Sequence, residues 1–133
     1  MVCVDASLVV KLIIPEPLSQ EADALWERWI EKSVERIAPS FMPVEVISAL
    51  RRRGKRGELP PEFERSAVEV FTDDLLPLIE LYEPSRRLLR RAWSIARELE
   101  TMHAYDAIYI ALAEEMGCQL WTADRKLYNA VKG

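Results

Sequence analysis

The chain has 133 residues, 50% of them hydrophobic and 30% charged, with a formal net charge of −4. A length of this order makes one domain, residues 1–133, able to bury roughly two-thirds of the surface that the unfolded chain exposes. The acidic balance excludes wholesale attraction to nucleic acid, so a polyanion has to be met by a local basic patch or through bound cations. No apolar run approaches the length of a bilayer span. The N-terminus lacks a basic leader region, which sets aside a signal peptide and gives a cytoplasmic protein with no membrane partner as the expectation.

The elements follow in chain order. "MVCV" reads as a short buried strand, and Asp5 follows it at once. From Leu8 to Ile14 every residue but Lys11 is apolar, a helix that Pro15 and Pro17 stop, because the residue before proline is pushed out of the helical region. Between Ser19 and Ile37, Ala22, Leu25, Trp26, Trp29 and Ile30 recur at helical spacing, with the tryptophans read mainly as core although two large aromatics on an early helix also suit an interface. "RIAP" is too short to assign alone and fits an edge or a buried strand. Ser40 is a good N-cap, with Pro43 in the first turn, for a helix through "VEVISALRRR" that ends in a basic loop at Gly54 and Gly57.

Pro60 and Pro61 open another helix, expected to run to about Leu75, and "LIELYEP" alternates as a strand does. Ser85 caps a long amphipathic helix to Leu99, whose arginines (Arg86, Arg87, Arg90, Arg91, Arg97) read as a solvated, salt-bridged face. "AYDAIYIALAEEMG" is a further helix with Gly117 as its stop, "CQLWT" a strand, and "ADRKLYNAVK" a closing helical turn or two. Short strands separated by helices give an α/β fold with a central, largely parallel sheet flanked by helices on both faces. Cys3 and Cys118 sit in or beside strands and read as small buried hydrophobes, not as a disulfide or metal pair.

Four acidic residues stand in apolar company: Asp5 after the first strand, Glu45 among Val44, Val46 and Ile47, Asp106 in "YDAIYIALA", and Asp124 just past the last strand. Each has an ordinary explanation. Asp5 and Asp124 suit helix N-caps, Asp106 suits the positive end of its helix, and Glu45 could face solvent. Yet strand ends and helix starts share one edge of a parallel sheet, the edge where ligands bind. Carboxylates brought about 4 Å apart repel by roughly 4 kcal/mol at an effective dielectric near 20 and must protonate or hold cations. Oxygen donors without His or Cys beside them suit Mg²⁺ or Mn²⁺.

"VDASLVVKLIIPE", the Glu of "FMPVEVISAL", "AYDAIYIALAEEMG" and "LWTADRKLY", in this order across essentially the whole chain, resemble a PIN domain. More narrowly they resemble the VapC-type toxin ribonucleases of toxin–antitoxin pairs. The resemblance implies that Asp5, Glu45, Asp106 and Asp124 are the acids of a Mg²⁺- or Mn²⁺-dependent endoribonuclease. Asp5 and Asp106 would be the main ligands, and Glu45 and Asp124 would act directly or through water. Ser7 and Thr122 match polar positions that line the same site. It further implies RNA hydrolysis to a 3′-hydroxyl and a 5′-phosphate, an antitoxin partner, and homodimers.

A PIN domain that binds or processes RNA with little toxin activity is the alternative reading. A haloacid-type phosphatase would need Asp-x-Asp after the first strand, where this chain has "DAS". "RRRGKRG" offers Arg51, Arg52 and Arg53 for RNA phosphates, although basic residues also favour helix C-termini and solvated loops. His103, just before Asp106, reads as a rim or surface residue.

Overall fold

The computed structural model describes residues 1–100 and 103–124. The expected closing helical turns after Asp124 fall outside the described residues. Four strands, β1 (Val2–Val4), β2 (Arg36–Pro39), β3 (Glu80–Tyr82) and β4 (Gln119–Trp121), form a sheet in the order β3-β2-β1-β4 with every pairing parallel. The two interior strands are the apolar ones: Cys3, Val4, Ile37 and Ala38 have no exposed surface. "RIAP", too short to place from sequence, is one of them.

Among the described residues six α-helices connect the strands: α1 (Ala6–Ile13), α2 (Ser19–Glu31), α3 (Met42–Lys55), α4 (Pro61–Glu69), α5 (Arg86–Glu98) and α6 (Ala104–Met116). The right-handed sense of parallel crossovers places α1 to α4 on one face, since β1, β2 and β3 advance in one direction. The return from β3 across to β4 then puts α5 and α6 on the other. α6 runs under β1, β2 and β4 and packs along α5. This explains why it is apolar nearly all round, with Ala107, Ile108, Tyr109, Ala111, Leu112 and Ala113 all buried.

Several element ends differ from the sequence reading. Ser40 does not cap α3, because its N–H still bonds to the Tyr82 carbonyl along the sheet, and Phe41 takes the cap position one residue later. α3 continues through Gly54, and Gly57, at a φ of 78°, closes the turn that follows. The helix from Pro61 stops being α-helical at Glu69 and widens into a π-turn (Val70–Leu75), then tightens to a 3₁₀ turn (Leu76–Leu78) at Pro77. Ser85 does cap α5, accepting from the Leu88 N–H at 3.1 Å, and Gly117 ends α6 in the left-handed region at φ 63°. Trp26 and Trp29 are both buried, and both cysteines are free thiols. Among the described residues no helix is long and apolar enough to cross a membrane.

Candidate active site

β1 and β4 come from opposite ends of the chain yet end side by side, Val4 opposite Trp121. Asp5 and Asp124 follow these two ends. Glu45 enters from the first turn of α3 and Asp106 from the first turn of α6. All four acids line one cavity of about 330 Å³ at the carboxyl edge of the sheet. Asp106 is only half-buried, because the start of α6 reaches the cavity wall before the helix dives under the sheet.

Asp5 is both an N-cap and a cavity wall. It is 5% exposed; Oδ1 accepts from the Ser7 N–H at 2.5 Å and Oδ2 from the Thr122 hydroxyl at 2.7 Å. Thr122 has one proton and gives it to Asp5, so across the 3.1 Å contact between the two hydroxyls Ser7 is the donor. Ser7 Oγ also accepts from the Ala123 N–H at 3.0 Å, and Thr122 Oγ1 from the Asp124 N–H at 2.9 Å. The two hydroxyls therefore tie the start of α1 to the segment carrying Asp124. Glu45 is held from the core: the Tyr109 hydroxyl, 1% exposed as a residue, donates to its Oε1 at 2.5 Å.

The acids feel one another. Burial raises the Asp5 carboxyl above its usual range, the Ser7 and Thr122 donors oppose this, and the charge of Asp124 adds to it. Burial also raises Glu45; the Tyr109 hydroxyl opposes, while Asp5 and Asp106 push it further up. Asp106 is raised by burial and then by Asp124, with His103 opposing from the exposed cap position of α6. Burial, then the charge of Glu45 and the bond to it, pushes the Tyr109 phenol far up, so it stays a donor.

The cationic side of the cavity is richer than the sequence indicated. Lys11, Arg52 and Arg53 line it together with Glu16. Arg53 grips Glu16 through both terminal guanidinium nitrogens, Nη1 to Oε2 and Nη2 to Oε1 at 3.2 Å, and Lys11 Nζ reaches Oε1 at 2.8 Å. Arg51, grouped with its neighbours in the sequence reading, turns to Glu64 at 2.8 and 2.9 Å and does not line the cavity. Tyr109, Lys11 and Glu16 were not among the sequence candidates. Only Lys11 carried a signal, as the one polar residue in an apolar run.

As the side chains stand, no three Asp, Glu, His or Cys groups among the described residues are gathered tightly enough to enclose an ion by themselves. Mg²⁺ asks for less, one or two carboxylates with water completing its shell. The donors are all oxygen, and three of the four acids are held above their usual range by burial and by like charge, a strain that a hard cation relieves. The residues fit such an ion.

The PIN domain family profile matches residues 2–133. Ribonuclease VapC9 of Mycobacterium tuberculosis is 30% identical over 131 residues, covering 96% of this chain and 88% of that one. Among solved structures, VapC20 of Mycobacterium tuberculosis, described as a sarcin–ricin loop cleaving toxin, superposes with a TM-score of 0.72 at 18% identity. That match covers 98% of this chain and 95% of that one. A toxin–antitoxin complex from Klebsiella pneumoniae contains a chain of the same fold, with a TM-score of 0.67, 16% identity and coverage of 99% and 93%.

Proposed function

This chain belongs to the PIN domain family, and from that premise we propose that it is a Mg²⁺- or Mn²⁺-dependent endoribonuclease, the toxin of a toxin–antitoxin pair. The observation that carries the reading is the meeting of Asp5, Glu45, Asp106 and Asp124 in one cavity at the carboxyl ends of β1 and β4. The names of similar proteins, ribonucleases of the VapC type, support the reaction class.

Asp5 and Asp106 would hold the ion, with Glu45 and Asp124 reaching it directly or through water. The ion would supply charge for the phosphodiester oxygens and a lowered pKa for water. The rest falls to the chain. Ser7 and Thr122 fix both Asp5 oxygens, so this carboxylate has one orientation to offer. Tyr109 fixes one Glu45 oxygen and leaves the other for the cavity. Lys11, Arg52 and Arg53 set positive charge against a strand that the acids alone would repel. Water attacks phosphorus in line with the leaving O3′, giving a 3′-hydroxyl and a 5′-phosphate.

The partners in this reading are RNA, an antitoxin protein and a second copy of the chain. The antitoxin is supported by the toxin–antitoxin complex of like fold. Purified protein incubated with RNA and Mg²⁺ or Mn²⁺, beside EDTA and Asp106→Asn controls, tests the chemistry. Cleavage that disappears in both controls is the expected result. Cleavage that survives EDTA, or that Asp106→Asn retains in full, overturns the metal–carboxylate mechanism. Absence of cleavage together with absence of a metal-induced melting shift overturns the catalytic reading.

A further inference from the structure

A second cavity, about 360 Å³, opens beside the acidic one and shares two walls with it, Glu45 and Arg52. Its other walls are Phe41, Val44, Ser48 and Tyr105. Val44 is 67% exposed and Tyr105 61%, the most exposed large hydrophobic side chains among the described residues of α3 and α6. Each immediately precedes an acid, Val44 before Glu45 and Tyr105 before Asp106. Consecutive helical residues point about 100° apart, so the turn that aims each acid at the first cavity aims its neighbour at the second. Phe41 braces Tyr105 in an edge contact, with centroids 5.0 Å apart and planes at 72°, and meets the buried Tyr109 in another at 5.6 Å. The Tyr105 ring is thus backed by an aromatic row anchored in the core while most of its surface faces solvent.

We propose that this cavity receives one unpaired nucleobase of the RNA strand, stacked on Tyr105 next to the phosphodiester held in the acidic cavity, with Arg52 serving both. The proposal rests on the ribonuclease reading above. An exposed aromatic beside a cation is how single-stranded nucleic acid is gripped without base pairing. The Ser48 hydroxyl, donor and acceptor at once, stands ready for a base edge. A second copy of the chain is a poorer occupant, because it would have to cover Glu45, and glutamate is depleted from interfaces. A base still paired in a duplex cannot enter, so the substrate is unpaired at this position.

Fluorescein-labelled single-stranded oligoribonucleotides, bound in Ca²⁺ in place of Mg²⁺ and followed by anisotropy, provide the test, with one abasic ribose moved stepwise along the strand. The wild type should lose roughly 5- to 150-fold in affinity at one position, the worth of one base–aromatic stack. Tyr105→Ala should lose a similar factor on the intact strand and become indifferent to the abasic residue there, while Tyr105→Phe stays near wild type. A flat abasic scan in a wild type that binds and cleaves RNA overturns the subsite and leaves the ribonuclease standing. Tyr105→Ala that dissociates a dimer in sedimentation with unchanged RNA affinity assigns the face to a second copy instead, and also overturns it. A wild type that neither binds nor cleaves RNA removes the ribonuclease reading and the subsite with it.

Discussion

The Tyr109 hydroxyl, buried in α6, donates to Glu45 Oε1 on α3 at 2.5 Å and so couples the aromatic core to the acidic cavity. Partners that orient a metal-binding group commonly change metal affinity or activity by about 10- to 100-fold when lost. Tyr109→Phe keeps the ring and removes only the hydroxyl. It should raise the Mn²⁺ concentration needed for half-maximal cleavage, and for half the metal-induced melting shift, by about that factor. An unchanged metal titration would reduce the bond to a packing detail.

Asp106 is expected to trade stability for function. Its carboxyl is raised by burial and by Asp124, so the fold disfavours its ionised form. The sign is that of an acid with a raised folded pKa: its ionisation costs stability as pH rises through that pKa. Asp106→Asn should therefore melt higher than the metal-free wild type at pH 7, while cleavage falls by about 100-fold or more. The advantage should shrink on acidification, as the wild-type carboxyl takes up its proton. Equal melting points across pH would show that the group is solvated well enough to carry no strain.

Thr122 behaves in the opposite sense. Its hydroxyl serves Asp5, Asp124 and Ser7 at once, and Thr122→Val preserves shape while removing all three bonds. Leaving Asp5 short of a donor and the Asp124 N–H short of an acceptor should cost about 1–3 kcal/mol in chemical denaturation. Cleavage should drop by about 10- to 100-fold as well. Loss of activity with full stability would mean that the hydroxyl acts on the substrate and not on its neighbours.

Glu16 gives the fold a pH dependence of its own. Burial works against its charge, but the bonds from Lys11 and Arg53, then their charges, bring its carboxyl below the usual range. A depressed folded pKa means stability that is present above the ordinary glutamate value of about 4.3 and lost as pH falls through the folded one. Glu16→Gln should be less stable than wild type by about 1 kcal/mol at pH 7, at the upper end for partly exposed pairs. The gap should close below the folded pKa. A gap that persists unchanged into strong acid would assign the effect to shape and not to charge.

How much of this could be read from the residues divides by distance along the chain. The fold, four short strands in a parallel sheet with helices around it, was legible because apolar runs, proline stops and the Gly117 terminus are local signals. Ser85 is a cap as its local signal indicates, whereas Ser40, read as a cap on the same signal, still belongs to the sheet through its bond to Tyr82, and α3 starts one residue later. Trp26 and Trp29 declared their burial through helical spacing alone.

The residue order supplies four acids without His or Cys beside them, placed at strand ends and helix starts. Local preference and periodicity act over a few residues, so they could put each acid at one edge of the sheet. Only the tertiary structure decided what each acid meets there. Thr122 finds Asp5 across 117 positions, Tyr109 finds Glu45 across 64, and Arg53 finds Glu16 across 37. None of these pairs lies within one helix or within one strand. The first meeting comes from β4 lying beside β1, the second from α6 passing under the sheet, and the third from α1 packing on α3, an arrangement stabilised by burial of the whole core at once.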